Sequence, residues 1–528
     1  LESAISLRHM SPMAPCVLRT GSVHERTRAK VGRCMKVTAL VDDSHDKIVD
    51  LTTARIEDHI AKIMGVKTNK QSPSDPGWIP PPWFDLNSLR DEDIRDTWLA
   101  PDLAEIEGVV VKNKCVEEVR LDSLTSEQKD KIIGCLTPRV VKRSGKRKSR
   151  VVSRGDQMVQ GVHYQRSHSP TIMHVSLRFL FSLAAALGLK IIGGDFSQAY
   201  INADLPESEW YHMTPPKSAR QFDDDGNRLV WLVKKSLYGG KNAGRNWYLL
   251  LKDYLTDHGF EQCYCEPCVF FKRTDKGLLI IGAYVDDLIT LYSDEKEMRS
   301  VYADISSRFE FTPQEPLSDI CGIEVSENSE HIILTLSGYI DKMADAFLSP
   351  ETRLRAAHTP ALESLPRLVD LALDQDPSSI DPKLLRKYRA IVGSILFAAT
   401  TVRADIAYAA GMLSRAMSRP TPALLEAAER VVQYLSTTRE IGIHYTRNAD
   451  VQLDGSSDSD WQVRCSTSGY AFFLANAVVA YLSKKQPTIA MSSAQAEIYA
   501  ASLAGLEATF LVGFLAQVVG HDVTPVDL

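Results

Sequence analysis

What this sequence lacks narrows the field before any motif is read. No run of about eighteen apolar residues is present; the best stretch, Ala390 to Leu413, is broken by Arg403 and Asp405, so neither a membrane span nor a membrane partner is expected. Charge of one sign is not in excess: 61 Lys and Arg against 67 Asp and Glu leave a formal −6, which argues against a protein that simply coats nucleic acid. Cysteine is sparse, with nine scattered residues and no secretory signal at the start, which points to a reducing intracellular compartment. Cys263, Cys265 and Cys268 cluster, but no fourth Cys or His stands at finger-like spacing, so they read as packing cysteines rather than a zinc site. Internal repeats are absent, and Leu1 in place of Met points to a piece of a longer reading frame.

What is present is an ordinary globular composition, 44% hydrophobic and 24% charged over 528 residues. That length suits about three or four units at roughly 150 residues each. Residues 1–75 form a poorly defined segment with one helical pattern, Ile48 to Ile63, and a polar linker, Lys67 to Asp75. Pro76 to Phe84 is a Pro/Trp-rich extended stretch expected to pack both Trp78 and Trp83. Helices are expected at Ser88 to Leu99 and Ser126 to Ile133, with strands at Val109 to Val111 and Val116 to Leu121, a mixture typical of α+β architecture. A helix at His174 to Leu187 feeds an apolar strand, Ile191 to Phe196, that ends in an acid. Further strands follow at Val230 to Val233, Val269 to Lys272, Leu278 to Ala283, Ile320 to Val325 and Ile332 to Leu336, between helices at Ala243 to Gly259 and Glu295 to Phe309. Helices then dominate Gly338 to Phe347 and Leu384 to Thr438, before a second β-rich unit, Ile441 to Leu482, and a closing helix, Ala494 to Val519.

The most informative motif is Tyr284-Val285-Asp286-Asp287, set between the apolar runs Leu278 to Ala283 and Leu288 to Tyr292. It reads as a hairpin that lifts adjacent carboxylates onto a turn, and hard divalent cations want such oxygens on a stiff support. Two Mg2+ ions held this way suit in-line transfer of a nucleotide to a 3'-hydroxyl. Asp195 ends its own apolar strand, and neighbouring strands would bring it to the doublet. If the three converge, each is desolvated by like charge and needs cations to stay ionised. The stretch Arg139 to Arg154 is densely basic, with Val-Val pairs on either side, and reads as a hairpin whose cations meet phosphates or as a solvated loop.

Several blocks in fixed order now carry a family resemblance: GGDFSQAYINADL (193–205), KKSLYGGKNAGRNW (234–247), YVDDL (284–288), CGIEV (321–325) and LTLSGYI (334–340). Together with YRAIVGSILFAATTVRADIAYAAGMLSR (388–415), SSDSDW (456–461), STSGYAFFL (466–474) and SSAQAEIYAASLA (492–504), they resemble the reverse transcriptase and ribonuclease H region of copia-type LTR retrotransposon Pol polyproteins, over about residues 97–528. The resemblance implies an α+β right-hand polymerase, with fingers and palm at 76–335, a largely helical thumb or connection at 336–445, and an incomplete ribonuclease H-like α/β domain at 446–528.

The same resemblance implies roles. Asp195, Asp286 and Asp287 would be the catalytic, Mg2+-holding carboxylates, with Mn2+ as a substitute ion. Lys148 and Arg150 would grip the incoming triphosphate, for which the planar fork of Arg is suited. Tyr200 would crowd the sugar 2' position and so select deoxynucleotides, and Asn242 would contact the nucleotide. Asp458 and Glu497 match two acids of the ribonuclease H site, whose third belongs to a strand expected to begin near Val526 and would fall just beyond Leu528, so weak RNA cleavage is expected. The implied partners are an RNA template, a DNA or RNA primer and deoxynucleoside triphosphates. The implied location is cytoplasmic particles with later nuclear access for the DNA product.

This chain departs from the family where Leu, Gln and Pro are replaced by Gly240, Asn242 and Gly244, which implies a looser floor under the nucleotide. A cyclase-like reading of Gly193-Gly194-Asp195-Phe196 fails because the following acid is missing and the YVDD hairpin is left unexplained. A relic that binds nucleic acid without turnover is the remaining alternative, since fold and activity are separate claims.

Overall fold

The structure, a computed structural model, describes residues 78–141, 145–275, 277–376, 380–461 and 466–520, all within a unit spanning Asp58–Leu528. The helix and linker expected before residue 76, and the segment near Val526, lie outside the described residues. At the start of the described chain Trp78 is buried edge-on against Phe84, with ring centroids 5.3 Å apart. Trp83 does not pack as expected; it is 72% exposed.

Asp91 caps the first helix by accepting the Ile94 N–H at 3.1 Å, so α1 spans Glu92–Glu107 rather than Ser88 to Leu99. The helix runs into a wider π turn, Gly108–Lys112, which overturns the strand expected at Val109 to Val111. Burial explains the difference. Trp98, Asp102, Glu105 and Val109 are all buried at helical spacing, and one face continues through the turn. Then come β1 (Val116–Arg120) and the basic hairpin strands β2 (Arg139–Val141) and β3 (Arg147–Ser149).

The next elements are α2 (His174–Ala186), β4 (Lys190–Phe196), β5 (Tyr211–Met213), β6 (Leu229–Val233) and α3 (Ala243–Asp257). They are followed by β7 (Glu261–Gln262), β8 (Val269–Thr274), β9 (Gly277–Tyr284), β10 (Asp287–Tyr292), α4 (Glu295–Arg308) and β11 (Phe311–Gln314). The strands form two antiparallel sheets: a small one in the order β1-β6-β5, and a six-stranded one in the order β11-β4-β10-β9-β8-β7. β4, with its Ile191-Ile192 pair, is thus bonded on both sides. α2 is buried nearly all round, and α3 and α4 share a separate apolar cluster with Phe196, Phe309 and Phe311.

The stretch expected as one strand at Ile320 to Val325 is a hairpin of β12 (Asp319–Ile320) and β13 (Ile323–Glu327), because Cys321 and Gly322 turn the chain at positive φ. β14 (His331–Thr335) follows, then α5 (Ser337–Phe347), α6 (Leu365–Leu373), α7 (Pro382–Thr401), α8 (Ala407–Ser414) and α9 (Pro422–Thr437). β15 (Ile443–Thr446) returns to pair with β14, so this part of the expected second β-rich unit belongs to the earlier sheet, β12-β13-β14-β15. The last sheet is a meander of β16 (Asp454–Asp460), β17 (Thr467–Leu474) and β18 (Ala477–Lys485), closed by α10 (Ser493–Val519).

α10 corrects another expectation: by length and composition it is apolar enough to cross a membrane, which Ala390 to Leu413 is not. Here its Ala496, Ala500, Ala504, Ala508 and Leu511 are buried at helical spacing, where small side chains let a helix lie close on a sheet. Cys263 and Cys268 are buried between β7 and β8, and the Cys263 thiol lies 3.2 Å from Gln517 Oε1 of α10.

One apolar core runs from Ile172 through α2, the helices α5 to α9 and the last sheet to Val518. Arg178 of α2 is buried within it, donating to the carbonyls of Val479, Thr400 and Thr401 at 2.7–2.8 Å.

Close packing at β4 makes a direct prediction. A Cβ on Gly194 would collide with the Phe311 ring carried by β11. Gly194→Ala should therefore destabilise the chain by about 1–3 kcal/mol, the usual cost of overpacking, seen as a lower midpoint in chemical unfolding.

Candidate active site

Strand register, not sequence proximity, builds this site. β4 and β10 pair antiparallel with Asp195 directly opposite Asp287, while β9 and β10 close with Tyr284 opposite Asp287. Val285 and Asp286 form the turn between them. The Asp286 carbonyl accepts the Phe196 N–H at 2.8 Å, locking the turn to the end of β4. Val285 takes a φ of +54°, a conformation that a β-branched residue strongly resists. Trp247 of α3 holds it there by donating Nε1–H to the Val285 carbonyl at 2.7 Å, with its own ring edge-on to Phe196 at 4.9 Å.

The electrostatics follow from that crowding. Burial, then the charges of Asp195, Asp286 and Asp319, push the Asp287 carboxyl up to about 6. Burial also raises Asp286, against the pull of Arg150 and Lys148 and with a further push from Asp195. Asp286 Oδ1 is buried and has no hydrogen-bond partner among the described residues. Hard oxygens on adjoining strand positions, one of them orphaned, fit a hard divalent cation. Among the described residues no three acid, His or Cys side chains are already gathered around a cation-sized centre.

The basic hairpin faces these acids. Lys148 and Arg150 alternate with Arg147, Ser149 and Val151, which lie against α1. There Arg147 sits over the Trp98 ring at 5.4 Å, and Ser149 donates to Asp102 at 2.6 Å. Asp102, fully buried, also takes both ends of the Arg139 guanidinium at 3.0 and 2.7 Å. The Arg150 guanidinium lies 4.8 Å from the centre of the Tyr238 ring, and Tyr238 in turn packs on Tyr200 at 5.1 Å. Tyr200 stands in the short turn Ala199–Asn202 that follows β4, half-buried.

Asn242 is placed differently from expectation. It is 1% exposed, and its amide donates to Glu209 Oε2 at 2.6 Å, so a side chain one methylene shorter than Gln is spent inside the fold. Its amide is thus engaged with Glu209 inside the fold. The segment expected to be loose is tied down. Ser153 N–H reaches the Tyr238 carbonyl at 2.8 Å, Ser169 Oγ reaches the Gly244 carbonyl at 3.0 Å, and Asn246 reaches Ser236 at 3.1 Å. Gly239, at a φ of +82°, is required there because a Cβ would strike the Ser153 carbonyl.

Asp458 and Glu497 belong to a different sheet. Asp458 lies on β16 opposite Gly469, Glu497 in the first turns of α10, and both are exposed. Three neighbours of the carboxylates carried no separate signal: Tyr238, sitting unremarked inside the SLYGG block, Trp247, and Asp319, which acts on Asp287 from the β12 strand.

The raised Asp287 value has a thermodynamic sign. A carboxyl whose folded value of about 6 exceeds its ordinary 3.8 contributes stability that is complete below 3.8 and is lost as pH rises through about 6. In metal-free buffer, Asp287→Asn should therefore melt higher than the parent protein at about pH 7.5, and the gap should close near about pH 4. A gap independent of pH would show that Asp287 is not crowded.

The chain is similar to several known proteins. The family described as reverse transcriptase (RNA-dependent DNA polymerase) matches residues 136–361. The retrovirus-related Pol polyprotein from transposon TNT 1-94 of Nicotiana tabacum is 28% identical over 385 residues, 71% of this chain and 28% of that protein. The corresponding polyprotein from transposon RE1 of Arabidopsis thaliana is 29% identical over 375 residues, 70% of this chain and 25% of that one. The chain thus spans little more than a quarter of the length of these relatives. A transposon Ty5-1 protein of Saccharomyces cerevisiae is 30% identical over 314 residues, 58% of this chain and 98% of that protein. A solved foamy viral protease-reverse transcriptase in complex with double-stranded DNA is similar at a TM-score of 0.42 and 10% identity, covering 95% of this chain and 75% of that one. With its paired strand-end acids in the matched region, the chain belongs to the reverse transcriptases of copia-type retrotransposon Pol polyproteins.

Proposed function

We propose that the chain is an RNA-directed DNA polymerase that adds deoxynucleotides to a primer 3'-hydroxyl along an RNA template. The observation that carries this reading is Asp195 facing Asp287 across two paired strands, with the orphaned Asp286 oxygen beside them and Lys148 and Arg150 opposite. Asp195, Asp286 and Asp287 would hold Mg2+ or Mn2+, which when bound stabilises charge on the attacking and leaving oxygens. Lys148 and Arg150 draw in the triphosphate and orient it, Arg through parallel donors. Tyr200 excludes a 2'-hydroxyl by bulk, its ring kept in place by Tyr238. Water exclusion and positioning supply the remainder of the rate.

On this reading residues 76–335 are fingers and palm, 336–445 a helical thumb or connection, and 446–528 a ribonuclease H-like domain. The β16 to β18 meander with α10 across it supports the last assignment. Asp458 and Glu497 are the proposed nuclease acids, and cytoplasmic particles with later nuclear access the proposed location.

The test is extension of oligo(dT) on poly(rA) with labelled dTTP and Mg2+ or Mn2+. Asp286→Asn should lower extension by about 10²-fold or more while leaving the fold intact. A parent protein that binds the primed template yet extends nothing with either ion would favour the relic that binds without turnover. Tyr200→Val should raise ribonucleotide incorporation by about ten-fold or more, as expected for removing a steric block. Equal discrimination in both proteins would mean that the ring only packs.

A further inference from the structure

Glu105 is a buried acid that none of the roles above employs. It lies upstream of the residues matched by the family, in the last turn of α1, with 8% of its surface exposed. One carboxylate oxygen accepts the Val151 N–H at 3.3 Å, two residues past β3 on the segment that carries Lys148 and Arg150. The other accepts the Gln198 amide at 3.4 Å, three residues beyond Asp195 and two before Tyr200. Gln198 needs such an anchor, because its φ of +56° is unusual for a residue with a side chain, and Asn113 of the adjoining π turn reaches it from the other side at 3.5 Å.

Charge agrees with this geometry. Burial pushes the Glu105 carboxyl above the usual range, and the Val151 N–H, Lys148 and Arg150 pull it back. Both cations therefore feel the charges of Glu105 and of Asp286. Long flexible cations drawn toward fixed acids before a ligand arrives lose less freedom on binding it. The segment leading to Tyr200 and the segment that carries the cations are joined through one carboxylate.

We propose that Glu105 is a positioning residue for the incoming nucleotide: it staples the basic strand to the turn after Asp195 and so sets the affinity for the triphosphate. The inference rests on the polymerase reading above. Glu105→Gln keeps the size and can still accept from Val151, but it removes the charge and sets an amide against the Gln198 amide. Glu105→Asp keeps the charge.

The experiment uses the full chain on poly(rA) primed with oligo(dT), reading KM and kcat for dTTP. In parallel, equilibrium binding of dTTP to the complex with a dideoxy-terminated primer is measured with Mg2+, where no turnover is needed. Glu105→Gln should raise both KM and the dissociation constant for dTTP by about five- to ten-fold, the loss expected from one ordinary hydrogen bond. kcat, template-primer affinity and melting midpoint should hold, and Glu105→Asp should recover most of the loss. A fall in kcat with KM unchanged, or dTTP binding equal to or tighter than that of the parent, would overturn the proposal. A parent protein that binds no dTTP removes the polymerase reading and this inference together. A parent that binds dTTP as tightly as Glu105→Gln removes this inference alone.

Discussion

Repulsion between Asp195 and Asp287 is the constraint around which the rest of the molecule is organised. Two carboxylates opposite one another on paired strands, with a third on the adjoining turn, are unfavourable unless the backbone that carries them is unable to yield. β4 supplies that resistance, because β10 bonds it on one edge and β11 on the other. Gly193 and Gly194 let Leu317 and Phe311 lie directly over the strand, so the resistance is steric as well as hydrogen-bonded. The strained Val285, held by Trp247, extends the same logic to the turn. Local instability is tolerated where a cation is wanted, and packing elsewhere compensates for it.

That compensation is unusually far-reaching because the main core is continuous. α2 shares one apolar cluster with the helices α5 to α9 and the last sheet, and it packs directly on α7, β17 and β18. Arg178 shows how tightly these parts are joined. A buried guanidinium without partners would be costly, yet three backbone carbonyls from α7 and β18 satisfy it, and the Tyr481 ring lies 4.6 Å away. Phe179 and Phe514 pack at 4.8 Å across the same seam. The β16 to β18 meander is consequently braced against α2, the helix that leads into the strand carrying Asp195.

Much of this was legible from periodicity and turn chemistry. The α2 to β4 transition, the β9 to β10 hairpin and α4 could be read because each buries a face of regular period and ends in a recognisable breaker. Reading failed where tertiary contact overrides local pattern. Val109 to Val111 has the residues of a strand but continues the buried face of α1 as a π turn. Ile443 to Thr446 is four residues long, and nothing in it says that its partner is β14, more than a hundred positions earlier. Asn242 sits in a block whose pattern suggests contact with a nucleotide, and only the neighbouring Glu209 reveals that its amide is already engaged. Glu105 was invisible for a related reason: a single acid in a helix carries no signal until the strand and turn that it joins are placed beside it.

The packing of Arg150 over Tyr238 and of Tyr238, tilted, against Tyr200 has a consequence for the proposed pocket as a whole. On the polymerase reading, Arg150 meets the phosphates and Tyr200 meets the sugar, two recognition events usually treated as independent. Here one ring separates them, so a displacement of the guanidinium toward a triphosphate changes the support behind the ring that tests the 2' position. Lys at position 150 would keep the charge but lose the flat face that stacks, which makes the geometry of this cation as important as its sign. Burial adds to the coupling, since it holds the Tyr238 hydroxyl well above its ordinary range and therefore neutral beside Asp286. An uncharged ring between an acid and a guanidinium transmits position without competing for the phosphate. On the polymerase reading, sugar selection and phosphate capture are thus parts of one packed assembly rather than separate contacts.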